Sequence, residues 1–416
     1  MRIYLLILSL CIITWQPLRA QRNEVIAPNV KTLQVTVNDD WLLPPVINLN
    51  SPDFIDISFD ELTHEYHRYI YIITHCNADW TPSELMEIDY LNGFNNNPID
   101  DYRSSFNTTM LYTHYKLRLP NENAQPIVSG NYVVTVYDDN NQSAPILKAC
   151  FSVIEPNVSV SASVSSNTDI DTNASHQQVS FNVNYQGYAI NTPQNEVKVQ
   201  VFQNLRTDNM VTNITPTYVS PGQLQYVHNR NLIFDAGNEY RRFEITNMNY
   251  ATQGVDKITY FNPYYHAILY PDEARKNYSF DVDQNGRYFI RYNLAQDNET
   301  EADYLFVHFT LDWDMPLIQG DFFLQGEFTY DRFDDKSKLT YNAQDHAYEC
   351  VQLLKQGAYN YLYLYVPQGK SKGETAPAAG NFYETENEYL ILVYHRPFGG
   401  RYDKLIGMQQ VKFQQQ

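Results

Sequence analysis

The sequence predicts an all-β protein, a tandem series of small β-sandwiches, and three observations predict it. Apolar side chains recur at every second position over short runs, the period that lays one face of a strand on a core. The composition favours strands, with 35 Tyr and 21 Phe in 416 residues. Gly, Pro, Asn and Asp break the runs before a helical period can build up. At 43% hydrophobic residues the chain can fill more than one core.

The elements follow in chain order. Residues 1–20, MRIYLLILSLCIITWQPLRA, carry a positive Arg2, an apolar run from Ile3 to Trp15 and a small Ala20. That is the layout of a secretory signal peptide, which makes Gln21 the expected mature N-terminus. No later stretch reaches the roughly eighteen uninterrupted apolar residues of a spanning helix, so the mature chain is expected to be soluble. A first sandwich is expected over 21–155, with Tyr132–Tyr137 (YVVTVY) among its strands. Pro156–Ser175, PNVSVSASVSSNTDIDTNAS, is dominated by Ser, Asn, Thr and Asp and reads as a linker, 156–175. A middle sandwich is expected over 176–299, with Val197–Phe202 (VKVQVF), up to the polar bridge LAQDNETEAD at Leu294–Asp303. The last sandwich is expected over 300–416, with strands at Leu305–Leu311, Tyr359–Val366 and Tyr389–Tyr394 and a loose loop, Gln368–Gly380, inserted before the last of these.

Gly130-Asn-Tyr132, Gly286-Arg-Tyr288 and Gly357-Ala-Tyr359 each follow a polar turn and lead into an aromatic strand. A Gly that turns the chain before a Tyr that packs over the corner often opens a late strand of immunoglobulin-like sandwiches. With one copy in each third of the chain, the pattern predicts three successive immunoglobulin-like domains.

The formal charge is −19, and losing Arg2 and Arg19 with the leader takes it to −21. Such a surface repels phosphate backbones and anionic headgroups, which argues against nucleic acid and membrane-surface binding. With Cys11 in the leader, Cys76, Cys150 and Cys350 remain, an odd number that forms no disulfide framework and leaves the pairing of Cys150 with Cys76 or Cys350 open.

The sharpest chemical candidate is HCNADW, His75–Trp80, with His64 and His67 just upstream. The preceding run reads as a strand, so His75 and Cys76 point to opposite faces and cannot act as base and nucleophile. Cys76 is expected against the core as an inert thiol. Thr81-Pro-Ser-Glu84 has the form of a capping box with Pro at the first helical position, predicting a short helix after Trp80. HEYH at 64–67 is one residue too short for the HExxH zinc motif. DVDQNG, Asp281–Gly286, opens like a calcium loop, but the twelfth position is Tyr292 where a bidentate Glu is required, so a tight Asn285-Gly286 turn is the better account. With no nucleophile elbow, phosphate loop or supported carboxylate pair, no catalytic, cofactor-binding or metal-binding residue is expected.

Two resemblances add to this reading. GDFFLQGEFTYDRF (320–333) followed by YNAQDHAYECVQLLKQGAYNYLYLYVP (341–367) resembles early-set, glycogen-binding-type carbohydrate modules. Tyr330 and Phe333 stand roughly where that family uses stacking tryptophans, which gives an alternative function: an envelope carbohydrate-binding protein. More extensively, HCNADWTPSEL (75–85), YTHYKLRLPN (112–121), SGNYVVTVYDD (129–139), FDAGNEYRRFE (234–244) and NFYETENEYLILVYHRPFGGRYDKLIG (381–407) resemble the plug protein family of the type IX secretion system of Bacteroidetes-type bacteria. The resemblance implies a periplasmic, non-enzymatic protein of β-sandwich domains, without cofactor, that docks on the outer-membrane translocon and closes its periplasmic opening. It supplies no individual functional residue.

Overall fold

A computed structural model describes residues 22–414. The signal peptide expected at 1–20 lies outside the described residues. The described chain is all-β: its α-helices, Glu87–Tyr90, Pro193–Glu196 and Asn298–Glu301, are four residues each.

In the first sandwich the sheet Val30–Val37, Ile55–Glu61, Thr113–Leu119, Asp101–Ser104 faces a second one. That second sheet runs Glu24–Val25, Asn141–Ile154, Gly130–Asp138, Tyr69–Cys76, Asn97–Pro98, and Val46–Asn48 pairs in parallel with Asn141–Ile154. Alternation decides what faces in: Ile55, Ile57 and Phe59 from one sheet meet Tyr69, Tyr71 and Ile73 from the other across a shared core. Asp56 and Asp60 occupy the intervening positions and therefore point away from that core, yet both are buried. Something else must cover them.

The remaining two sandwiches are not consecutive. One sheet holds Ser159–Ser165, His176–Asn184, Gln223–Tyr226 and Tyr218–Ser220, with Ile233–Asp235 on His176–Asn184; its partner holds Val211–Thr212, Val197–Gln203, Glu388–His395 and Lys404–Lys412. Their common core joins Val179, Phe181 and Val199 to Tyr389, Ile391 and Val393. The third sandwich lies between these pieces in sequence. It pairs Arg241–Glu244, Gly357–Pro367 and Tyr288–Ile290, with Gly320–Gln325 on the same long strand, and packs them on Val255–Phe261, Tyr264–Leu269, Tyr304–Asp312, Ala347–Lys355 and Thr340–Asn342. The third sandwich is thus an insertion in the second.

These pairings correct the expected boundaries. The 156–175 linker contains a strand, Ser159–Ser165, whose inward residues Val160, Ala162 and Val164 need only a shallow apolar face because it is an edge strand; the outward serines gave the stretch its linker composition. The division at 299/300 falls inside one sandwich, where Tyr264–Leu269 pairs with Tyr304–Asp312. Residues 388–412 leave the expected 300–416 unit for the middle sheet, through seven consecutive pairs from Val197↔His395 to Gln203↔Tyr389. The Gly-x-Tyr signal likewise does not mark one sandwich each. Tyr288 and Tyr359 are cross-strand partners in the same sheet, their rings stacked at 5.3 Å.

A chain ending at residue 386 tests the insertion. It loses Tyr389, Ile391 and Val393, each fully buried and worth about 2 kcal/mol, a loss comparable with the whole stability of a small domain, about 5–15 kcal/mol. Limited proteolysis should then cleave within 156–235 while 22–155 and the inserted sandwich stay protected.

Candidate functional site

The hexapeptide His75–Trp80 begins at the end of the strand Tyr69–Cys76, and alternation separates its two reactive side chains as expected. His75 lies on the inner side, its Nδ1 2.8 Å from Ser83 Oγ and its Nε2 3.2 Å from the Ser129 carbonyl. It is wedged edge-on between Tyr132 and Tyr402. Burial pushes its pKa down to about 4. Gly130 has a φ of +141° and a Cβ there would lie 2.4 Å from His75 Nε2, so the glycine that opens the next strand also makes room for this ring. Cys76 points the other way, out of the sandwich core, into a small cluster with Val133, Cys150 and Trp80. Burial, with Asp79 nearby, pushes its thiol up to about 12, so it is the inert, buried thiol that was expected, held in this small core cluster beside the main one. Cys76, Cys150 and Cys350 are all buried.

Thr81–Glu84 does not start a helix. Trp80 takes φ +63° and reverses the chain, so that Asn77 N bonds the Thr81 carbonyl at 2.8 Å and Ser83 N bonds the His75 carbonyl at 3.0 Å. The Thr81 hydroxyl, the expected cap, donates instead to Asp79 Oδ1 at 2.6 Å. A helix begins only at Glu87, where Asp89 Oδ2 accepts from Met86 N at 3.1 Å.

The other candidates are satisfied locally. His64 Nε2 sits 2.9 Å from the Ser105 carbonyl and His67 Nδ1 2.9 Å from Glu61 Oε2. In DVDQNG, Asn285 and Gly286 both have positive φ, as a tight turn requires. Asp281 pairs with Arg242, and burial pushes the Asp283 carboxyl up to about 6, the opposite of what a cation ligand needs. Tyr330 is no sugar platform: its hydroxyl accepts from Leu33 N at 2.9 Å on the first sandwich. Phe333 packs on Phe323. Among the described residues no three His, Cys, Asp or Glu side chains are grouped to hold a metal ion.

What the geometry concentrates instead is a junction of the three sandwiches. Between the first and second, Asp403, with a fully buried side chain, accepts from Ala78 N at 2.9 Å, Lys198 Nζ at 2.9 Å and Arg396 Nε at 2.8 Å. Arg396 also donates to Asn77 Oδ1 at 2.5 Å, and Gln200 Nε2 to the Ala78 carbonyl at 2.6 Å. Ala78, Ile154, Phe202, Leu392, Tyr394 and Leu405 fill the apolar part. HCNADW and HRPFGGRYD, far apart in sequence, are two sides of one interface.

Between the first and third, Asp60 is the hub. Lys355 Nζ lies 2.6 Å from its Oδ2, both side chains only 1% exposed. The Tyr304 hydroxyl donates to the same oxygen at 2.7 Å and His114 Nδ1 lies 2.6 Å from the other. Burial by itself would raise this carboxyl, but the Lys355 ammonium and His114 hold it below the usual range. Lys355 Nζ also sits 4.2 Å from the Tyr112 ring centre and donates to the Glu299 carbonyl at 2.7 Å. Around it, Asp303 accepts from Met110 N at 3.0 Å, and Arg103 bonds both Asp297 and Glu299.

Between the second and third, Arg287 pairs with Glu388 and Arg206 with Asp208 at 2.7 Å, all four almost wholly buried. Arg206 and Asp208 also hold the carbonyl and N–H of Gly373, which ties the Gln368–Gly380 loop to the second sandwich. A cavity of about 170 Å³ remains where the three bodies meet, lined by Trp80, Phe202, Leu205, Met210, Gln325 and Glu327 among others. Sequence reasoning found none of these clamp residues. The available signal was the location of Asp60 and Lys355 at strand positions beside aromatic and apolar runs.

Residues 30–155 match the family model described as Type 9 secretion system plug protein 1st domain. No curated protein matches the chain. Among solved structures, one of a hypothetical protein from Parabacteroides merdae ATCC 43184 is similar at 49% identity and a TM-score of 0.93, covering 94% of this chain and 99% of that one.

Two measurements check the junction. Lys355→Met leaves Asp60 buried without its cation and should cost about 3–5 kcal/mol in urea unfolding, with Asp60→Leu added to it recovering part of the loss. For His75, the unfolded imidazole takes up a proton below pH 6.5 that the folded one refuses down to about 4, so this residue's contribution is lost as pH falls through that window. Between pH 7 and pH 5 the loss should be about 2 kcal/mol smaller in His75→Gln than in the parent protein.

Proposed function

Because the chain belongs to the plug protein family of the type IX secretion system, we propose that it works in the periplasm as a non-enzymatic stopper, docking on the outer-membrane translocon and occluding its periplasmic opening. Occlusion asks for a body that keeps its shape, not for chemistry. The observation that carries the reading is the junction: buried ion pairs join the third sandwich to the other two, and the buried Asp403 carboxylate of the second takes the Ala78 N–H of the first, so the molecule presents one surface instead of three independently mobile ones. Among the described residues no helix is long and apolar enough to cross a membrane, which suits a protein that reaches the membrane through its partner. The affinity would come from a broad interface, on the scale of 800 Å² per partner or more.

Affinity purification of the translocon should recover this protein in constant proportion from cells without cargo in transit, and deletion of the gene should make the outer membrane more permeable to large solutes. Consistent absence from the purified complex overturns the reading. Cys76→Ser, which removes the only thiol of HCNADW, should leave co-purification unchanged.

A further inference from the structure

The two sequence landmarks that meet at the first junction have one feature that the junction does not use. In HRPFGGRYD, Arg396 and Asp403 are committed to the clamp, and Arg401 is anchored on both its ends: its carbonyl accepts from Glu84 N at 3.3 Å and its guanidinium pairs with Asp89 Oδ2 at 2.9 Å. Gly400 N closes the turn on the Pro397 carbonyl at 2.8 Å. On this fixed turn stands Phe398, 100% exposed. A phenylalanine held entirely in water by an ordered turn has no part in folding.

It does not stand alone. The Arg401 contacts set the turn against the segment Glu84–Asp89, where Met86 and Ile88 are exposed, Ile88 at 77%. Ile127 N bonds the Tyr90 carbonyl at 3.0 Å, which brings the exposed Ile127 beside the same helix. Leu91–Gly93 pairs with Ala124–Pro126, and Phe94, 76% exposed, follows at its end. Five large apolar side chains from the first and second sandwiches are thereby gathered at one end of the molecule. Among them the carboxylates Glu84, Glu87 and Glu122 are exposed, while the Arg401 guanidinium is engaged by Asp89.

We infer that Phe398, with Met86, Ile88, Phe94 and Ile127, is the face by which the protein docks, and that its occupant is a folded protein of the secretion machinery presenting an apolar pocket rimmed by lysine and arginine. The inference rests on the docking function proposed above. Phe398 is the anchor that enters the pocket, because an aromatic side chain on a pre-ordered turn loses little conformational freedom on burial. The glutamates supply complementarity: they set orientation and speed association with a basic rim, and like charges on a wrong partner oppose it. A second acidic copy of this chain is disfavoured at this face for the same reason, and an anionic lipid surface likewise.

The test uses the full-length secreted protein and affinity-purified translocon, reading the fraction retained in the complex. Phe398→Glu and the pair Met86→Glu/Ile88→Glu should each lower retention at least tenfold, Phe398→Ala several-fold, with melting temperatures within a few degrees of the parent. Raising salt from 50 to 500 mM should weaken retention of the parent more than that of Glu84→Gln/Glu87→Gln. A photo-crosslinking residue at position 398 should join the protein to a translocon component. Equal retention of Phe398→Glu with the parent overturns the inference while leaving the docking function standing. Crosslinking of position 398 only to a second copy overturns it as well. Failure of the parent itself to be retained removes the function and the inference together.

Discussion

Asp60 and Lys355 are a charged pair taken out of water at the meeting of two domains, and the arrangement of the whole molecule follows from the need to satisfy them. Removing two ions from water costs several kcal/mol each unless geometry and extra hydrogen bonds repay it. Here every partner is in place: Tyr304 and His114 complete the carboxylate, while the Glu299 carbonyl and the Tyr112 ring complete the ammonium. The ion pair itself, the Tyr304 hydrogen bond and the Tyr112 ring contact all cross between the sandwiches, and none of the three survives a sliding or rocking of the first on the third. An apolar interface of similar size would be as stable and would tolerate such movement; the ionic one fixes a single relative position. Asp403 does the same between the first and second sandwiches, with one carboxylate reading a backbone N–H and two cations.

The strands were legible because alternation is a local property. Tyr69–Cys76, Gly130–Asp138 and Tyr304–Asp312 could be placed from their own residues, and the same alternation correctly parted His75 from Cys76. Which strands share a sheet was not legible. Nothing in EYLILVYH says that it pairs with VKVQVFQ some 190 positions earlier rather than with the nearer YNYLYLYV. Composition misled at Ser159–Ser165, where an edge strand carries serine outward and small apolar residues inward. Local rules also failed at Thr81–Glu84. A capping box needs the Thr hydroxyl, and Asp79 two residues earlier captured it.

The junction was hidden for a related reason. Asp56 and Asp60 lie on the outward face of their strand, where a single-sandwich view expects solvent and treats a charge as ordinary. At Asp60 the packing of the third sandwich against that face turns the charge into a buried one with obligatory partners, Lys355 and Tyr304, whereas Asp56 is paired within its own sheet by Arg118 and Lys116. The same logic applies to HCNADW, whose importance lies in Asn77 and Ala78 rather than in its histidine and cysteine. Backbone groups of small residues serve well at a close domain contact, and they leave no chemical signature in a sequence.

Because the third sandwich interrupts the second, the order in which the protein can be completed differs from the order in which it is made. A chain that emerges from its N-terminus has everything it needs for the first sandwich by residue 155, and for the inserted one before Glu388 appears. The second must wait with half of its core unmatched until Glu388–His395 and Lys404–Lys412 arrive. Its closure is therefore the last event, and since Asp403 and Arg396 belong to that same final stretch, finishing the second domain and locking it to the first are one step. A prematurely terminated chain would thus carry two finished domains and an open sheet, a form readily cleared by proteases.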